Sequence, residues 1–335
     1  MILRPEQLAP HLGQALAPLY VLHGNEPLLV LEAADAIRSA ARHQGFDERE
    51  TLVSGQGFRW DSVFMAAGNV SLFGSNKLID LRIPSGKPGR EGGEALQRYV
   101  KQVHAGTLTL ITLPGLDWQT RKTAWFKALE EAGVAIELNA PPREHLPGWI
   151  AERLARQGQS AGADGLVFIA DHVEGNLLAA HQEILKLALL HPEGALTLKA
   201  IQEAVLNVAR YDLDMLREAL LDADPARCVR ILEGLRAEAA APPLVLWTVA
   251  NEIRTLASLR AGLDAGASLS DLFRTERIFD EQRKRKLQQR LPRLGRNALA
   301  AALLHAARVD RIVKGIASGD AWDELLRLGL RIARK

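Results

Sequence analysis

One cysteine in 335 residues leaves no internal disulfide to staple the fold, and a lone thiol without other ligands around it makes no zinc site. Cys228 therefore reads as a small buried hydrophobe on a helix. No stretch is long and apolar enough to cross a bilayer, and Arg4, Glu6 and His11 interrupt the beginning where a secretory peptide needs an unbroken apolar run. The expectation is a cytoplasmic protein with no membrane contact. Net charge is scarce as well: 42 Lys and Arg against 40 Asp and Glu leave a formal +2, too little for the whole molecule to act as an electrostatic nucleic-acid binder. The nine histidines include no pair at metal-ligand spacing with a carboxylate, and no serine stands in a Gly-x-Ser-x-Gly elbow. Asp171 with Glu174, and Asp212 with Asp214, read as solvated helix ends rather than acid–base pairs. No catalytic residue, metal or cofactor is expected.

What is present is an ordinary globular composition, 47% apolar and 24% charged, on a chain too long for one core and long enough for two or three domains. Short β-prone runs alternate with helical patterns at first, which predicts a parallel sheet covered by helices. The expected strands are Leu19–His23, Thr51–Val53, Lys77–Ile83, Thr107–Leu113 and Val134–Leu138. The expected helices lie near Pro27–His43, Trp60–Ala67, Glu94–Val103 and Gln119–Ala132. Pro141-Pro142 then breaks the chain, since neither residue can donate a backbone hydrogen bond. From Arg143 to Val208 only helical periodicity is visible, and from about Tyr211 longer helices follow, at Pro225–Ala240, Pro243–Ala261 and Asn297–Ile316. Asp224, ahead of Pro225, and Asp320 have the character of helix N-caps. The expected organisation is an α/β domain over 1–140, a small helical bundle over 141–209 and a larger all-α domain over 210–335.

An α/β domain followed by a helical bundle is a common build for ATP-driven machines, so the first strand-to-helix turn is the place to look for nucleotide chemistry. It reads Gly24-Asn25-Glu26-Pro27, with one glycine, no lysine and no hydroxyl, and with an acid that repels phosphate. A magnesium-orienting acid belongs at the end of a later strand, yet Thr107–Leu113 runs into Pro114-Gly115-Leu116 before Asp117. The glycine-rich stretch from Gly86 to Gly93 imitates a phosphate cradle, but its Lys87 is followed by proline, and it reads as a flexible surface loop. The turn at Gly24–Pro27 is thus a degenerate nucleotide loop.

Two further segments stand out. Val70-Ser71-Leu72-Phe73 sets an apolar pair among turn-forming residues, and that pair either folds back as core or projects into a partner's pocket. Arg274 to Arg296 holds nine Lys or Arg against three acids, with Arg283-Lys284-Arg285-Lys286 at its centre. Glu276, Asp280 and Glu281 interrupt it and no aromatic run suggests base stacking, so a solvated face is favoured over DNA contact.

Gly24-Asn25-Glu26-Pro27-Leu28-Leu29, Ser71-Leu72-Phe73, Ala124-Trp125-Phe126, Leu146-Pro147-Gly148-Trp149, Glu174-Gly175-Asn176-Leu177-Leu178 and Ala321-Trp322, in that order and at those spacings, resemble the delta-subunit family of the bacterial DNA polymerase III clamp loader. The resemblance covers essentially the whole chain. It implies an ATPase-like module with a decayed nucleotide site and a C-terminal helical collar that joins a ring with gamma/tau and delta-prime subunits. It also implies that Leu72 and Phe73 enter the pocket of the sliding clamp, the polymerase III beta subunit, with Val70 and Ser71 shaping the approach. Primed DNA would lie within the complex, and the chain would hydrolyse no ATP itself while belonging to a DNA-directed DNA polymerase assembly. Gly175-Asn176-Leu177-Leu178 lacks the arginine that active relatives place there to sense the terminal phosphate. The competing readings are a helicase-like ATPase with an unusual phosphate loop and a helical scaffold that binds nucleic acid through Arg274–Arg296.

Overall fold

The computed structural model describes residues 1–68, 76–102, 106–205 and 209–334. The chain divides into two compact units, residues 1–206 and 207–335.

The first unit is organised by six strands, Ile2–Leu3 (β1), Leu19–Gly24 (β2), Glu48–Val53 (β3), Lys77–Arg82 (β4), Thr107–Pro114 (β5) and Val134–Glu137 (β6). All pair in parallel, in the order β1-β6-β2-β5-β4-β3. The central strands are near-continuous apolar runs because each of their faces is covered. Leu19, Val21, Ile111 and Leu113 enter one core with Trp60, Leu96, Trp125 and Phe126, while Tyr20, Leu22, Leu108 and Leu110 enter the opposite core with Ala34 and Ile37 of the helix Pro27–His43. The parallel α/β fold read from the sequence is therefore present, with one strand more than the five expected. β1 is two residues long, too short to show an alternation, and is identified by its pairing of Ile2 with Ala135 and Leu3 with Ile136.

Three local expectations are corrected. The stretch from Gly86 to Gly93 is not all loop: the helix Gly89–Tyr99 begins inside it, with Gly92 and Gly93 buried. The reason is steric, because a Cβ on Gly92 would stand 2.3 Å from Trp60 Cζ2 and one on Gly93 3.3 Å from Trp125 Cδ1. The glycines that look like loop flexibility are where a helix passes two indoles. The helix expected over Gln119–Ala132 is two helices, Trp118–Arg121 and Ala124–Ala132, capped from Asp117 and begun again after Thr123. The segment from Arg143 to Val208 is not purely helical either. Besides the helices Leu146–Arg156, Ala163–Val173, Leu177–Leu190 and Leu198–Ala204, it has two three-residue strands, Gln159–Ala161 (β7) and Gly194–Leu196 (β8), paired in parallel. Gln159 there is buried and its amide nitrogen donates to Leu187 O and His191 O, closing the end of the helix Leu177–Leu190.

The second unit is helical throughout its described residues, with one core drawn from Leu213–Leu221, Pro225–Ala237, Pro242–Asp264, Leu269–Thr275, Glu281–Arg290, Arg296–Val313 and Ala321–Ala333. Asp212, Asp224, Ser268, Asp280 and Asp320 each accept a backbone N–H at a helix start, including the two caps expected at Asp224 and Asp320. Cys228 is fully buried, and burial pushes its thiol up to about 12.

Replacing Gly92 by alanine should lower stability by about 1–3 kcal/mol through overpacking against Trp60, although alanine is the better helix former. Urea unfolding followed by tryptophan fluorescence measures it; a variant at least as stable as the parent would mean that Trp60 swings aside freely.

Candidate functional site

The ends of β2, β5 and β6 and the start of the helix Pro27–His43 meet at the turn Gly24-Asn25-Glu26-Pro27. In an open parallel sheet this is where ligands bind, because helix N-termini and strand ends present unpaired amides there. Here three of those amides, on Asn25, Glu26 and Leu28, are occupied by the protein. Asn25 N donates to Asn139 Oδ1 at 3.1 Å, and Ala140 N donates back to Asn25 Oδ1 at 3.1 Å, so two asparagines clamp the turn to the segment after β6. Glu26 N donates to Leu138 O at 3.2 Å, and Leu138 N to His23 O at 2.7 Å. Pro27 has no N–H. Leu28 N, which would face a phosphate, donates to Glu26 Oε1 at 3.1 Å, making Glu26 the N-cap of its own helix. Gly24 is required by the same closeness, since a Cβ on it would lie 1.9 Å from Leu138 O.

The surroundings are equally self-satisfied. Arg121 Nη1 and Asn139 Nδ2 both donate to Glu137 Oε1, at 2.9 and 3.0 Å. His23 is buried with its ring edge-on to Phe126, and burial holds its pKa below the usual histidine value. Asp117, the acid considered for magnesium, caps the helix Trp118–Arg121 by accepting Thr120 N at 2.6 Å, and that bond lowers its pKa. Burial, outweighing the bond from Leu28 N, raises the Glu26 carboxyl above its ordinary range.

Sequence reasoning placed the turn but missed a pair on the helix that starts from it. Arg153, on Leu146–Arg156, is 7% exposed and grips Glu32 of Pro27–His43 with both terminal nitrogens, at 2.7 and 2.5 Å. Its guanidinium lies 4.0 Å from the Trp149 ring centre, and Nη1 is 3.1 Å from His181 Nδ1. Burial and the nearby Arg153 charge lower the His181 pKa, which favours the neutral ring that accepts this bond. The partners are 121 residues apart, so no local pattern announces them. Asn176, where the sequence lacks a sensing arginine, caps the helix Leu177–Leu190.

Of the other proposed sites, Val70, Ser71, Leu72 and Phe73 lie outside the described residues. Arg283, Lys284, Arg285 and Lys286 sit on the helix Glu281–Arg290 of the second unit. Arg283 pairs with buried Glu252 at 2.7 Å, Lys284 with Glu281 at 2.7 Å and Lys286 with Asp222 at 3.0 Å. Burial raises the Glu252 pKa against the pull of Arg283. Arg285 is exposed and has no acidic partner among the described residues. Arg290, counted with the basic run, is buried and donates to the carbonyls of Ile332 and Arg334, closing the end of Ala321–Ala333. No group of three metal-ligating side chains occurs among the described residues, and none of their helices is long and apolar enough to cross a membrane.

A family model described as DNA polymerase III, delta subunit, matches residues 20–139. The chain is 31% identical to the DNA polymerase III subunit delta of Escherichia coli (strain K12) over 333 residues, 99% of this chain and 96% of that protein. It is 29% identical to the Haemophilus influenzae protein of the same name, over 98% of each. Among solved structures, the Bacillus subtilis DNA clamp loader delta protein shares the fold, with a TM-score of 0.52 and 16% identity across 98% of this chain and 99% of that one.

Glu26 gives the turn a measurable signature. Because its folded pKa is raised, the folded state holds the proton more tightly than the unfolded chain, and stability drawn from this group is lost as pH rises through the folded pKa. Glu26→Gln keeps a cap acceptor but removes the titration, so its urea-unfolding free energy should fall less than the parent's from the acidic edge of the carboxyl range upward. Equal slopes would mean that Glu26 titrates alike in the folded and unfolded chain.

Proposed function

The chain belongs to the DNA polymerase III delta-subunit family, and from that premise we propose that it grips the sliding clamp and helps open it for loading onto primed DNA, without hydrolysing ATP itself. The relationship to the Escherichia coli subunit over 99% of the chain is what carries the reading. The occupied turn supports its passive half: a phosphate arriving there would displace the Glu26 carboxylate from Leu28 N and break the asparagine clamp, with no lysine to repay the lost bonds.

Leu72 and Phe73 are the proposed anchors in a hydrophobic pocket of the beta subunit, with Val70 and Ser71 shaping the approach. Burying both side chains offers roughly 3–6 kcal/mol before ordering costs, enough to fix an otherwise polar contact. Opening a ring takes more than adhesion, since a ligand shifts an equilibrium only by its differential affinity for the two states. The subunit must therefore bind a distorted clamp interface better than the closed one. Exposure of the anchor is governed in this proposal by neighbouring gamma/tau ATPases and delta-prime within a cytoplasmic hetero-oligomeric ring. Residues 1–140 and 141–209 serve as the ATPase-like and lid-like domains of the module, and 210–335 as the collar. Among Arg283 to Lys286, phosphate contact with primed DNA falls first to Arg285, whose charge is not already matched by an acid among the described residues.

Purified chain should bind the clamp from the same cell equally well with and without Mg-ATP, and Leu72→Ala combined with Phe73→Ala should weaken binding by about tenfold or more, roughly 1.4 kcal/mol per decade. Surface plasmon resonance, with circular dichroism to confirm folding, makes the comparison. A double variant that binds as tightly as the parent would make Leu72 and Phe73 ordinary core residues.

A further inference from the structure

In the first unit the sheet and the helical bundle that follows it are separate packing layers, and something has to fix one on the other. A nucleotide bound at the strand ends of such a sheet is touched from both sides and acts as that tie, in the way ligands close lids over sites. The turn Gly24–Pro27 has its own carboxylate and amides in the place of that ligand.

We propose that the Arg153–Glu32 pair replaces such a tie and holds the helical bundle on the α/β layer in one arrangement that does not depend on nucleotide. The inference rests on the passive half of the function above and is independent of clamp binding. Glu32 projects from the helix that starts at the closed turn, six residues beyond Glu26 and so about 9 Å along the axis. Arg153 reaches it from the bundle with a two-point grip, which fixes direction as well as distance. Trp149 and His181, both from the bundle, pin the guanidinium from their own side. The arginine thus leaves its helix already oriented, and the acid of the other layer accepts from both of its terminal nitrogens. The helix Leu177–Leu190, which carries His181, also packs against Pro27–His43, so the tie lies within a formed contact. With Arg153 buried and the Glu32 side chain 36% exposed, the pair holds a particular geometry more than it adds stability, because the cost of desolvating the guanidinium offsets much of the attraction.

The test is a distance measurement on the full chain. Cysteines introduced as Glu131→Cys in the α/β layer and Leu189→Cys in the bundle are both exposed positions. Native Cys228, buried and with its thiol pushed up to about 12, stays unlabelled. Spin labels at the two sites, read by double electron–electron resonance, should give one narrow distance distribution that Mg-ATP leaves unchanged. Arg153→Met, which keeps the stem against Trp149, and Glu32→Ala, at a half-exposed position that does not threaten the fold, should each broaden or shift it. An unchanged distribution in Glu32→Ala overturns the tie. A parent distribution that moves with Mg-ATP overturns its independence of nucleotide and shows the turn to be open to phosphate.

Discussion

A helix N-terminus that ends at a sheet's edge carries a partial positive charge and unpaired amides, and whatever satisfies them decides what the module can do. In this chain a carboxylate from the helix's own start, that of Glu26, bonds Leu28 N. The consequence spreads outward. The turn is drawn against Leu138–Ala140, Gly24 is needed because no side chain fits beneath Leu138 O, and Asn25 and Asn139 exchange backbone for side-chain bonds across the gap. The turn is thus a joint within the fold, and Arg153 of the bundle beyond it pairs with Glu32 of the helix that starts there.

Much of this was legible because burial on both faces writes itself into composition. β2 and β5 read as strands from their apolar runs, and the missing lysine and hydroxyl of the turn were plain. Asp224 and Asp320 were recognisable as caps from their position ahead of Pro225 and Ala321. What escaped was either too short or too distant for a pattern. Two residues of β1 and three each of β7 and β8 carry no periodicity. Gly89, Gly92 and Gly93 argued for a loop because propensity counts the residue and not its neighbour, whereas Trp60 leaves no room for a side chain at Gly92 and Trp125 little at Gly93. Asn139, Glu32 and Arg153 act through partners more than a hundred residues away in sequence.

The basic run from Arg274 to Arg296 illustrates a different failure of one-dimensional counting. Within the run cations outnumber acids threefold, yet Glu252 and Asp222 arrive from outside it to meet Arg283 and Lys286, and Arg290 turns inward to close a helix end. Arg283 sits where buried Glu252 needs a cation: burial raises the carboxyl's pKa, and the nearby guanidinium pulls against that rise. Part of the charge that suggested a nucleic-acid surface is therefore paired within the fold.

On the proposed function, a rigid and nucleotide-indifferent module is an advantage. A subunit that must prefer a strained clamp interface stores that preference in its own shape, and a lid free to swing would dissipate it by relaxing toward the closed ring. Bistability then belongs to neighbours that do change with nucleotide, and the passive subunit serves as the fixed surface against which they act. The Glu26 cap and the Arg153 grip are the same solution applied twice, each replacing a bond to an exchangeable ligand by a bond to the chain itself. On this proposal, a module without nucleotide chemistry would also lack the conformational freedom that such chemistry drives.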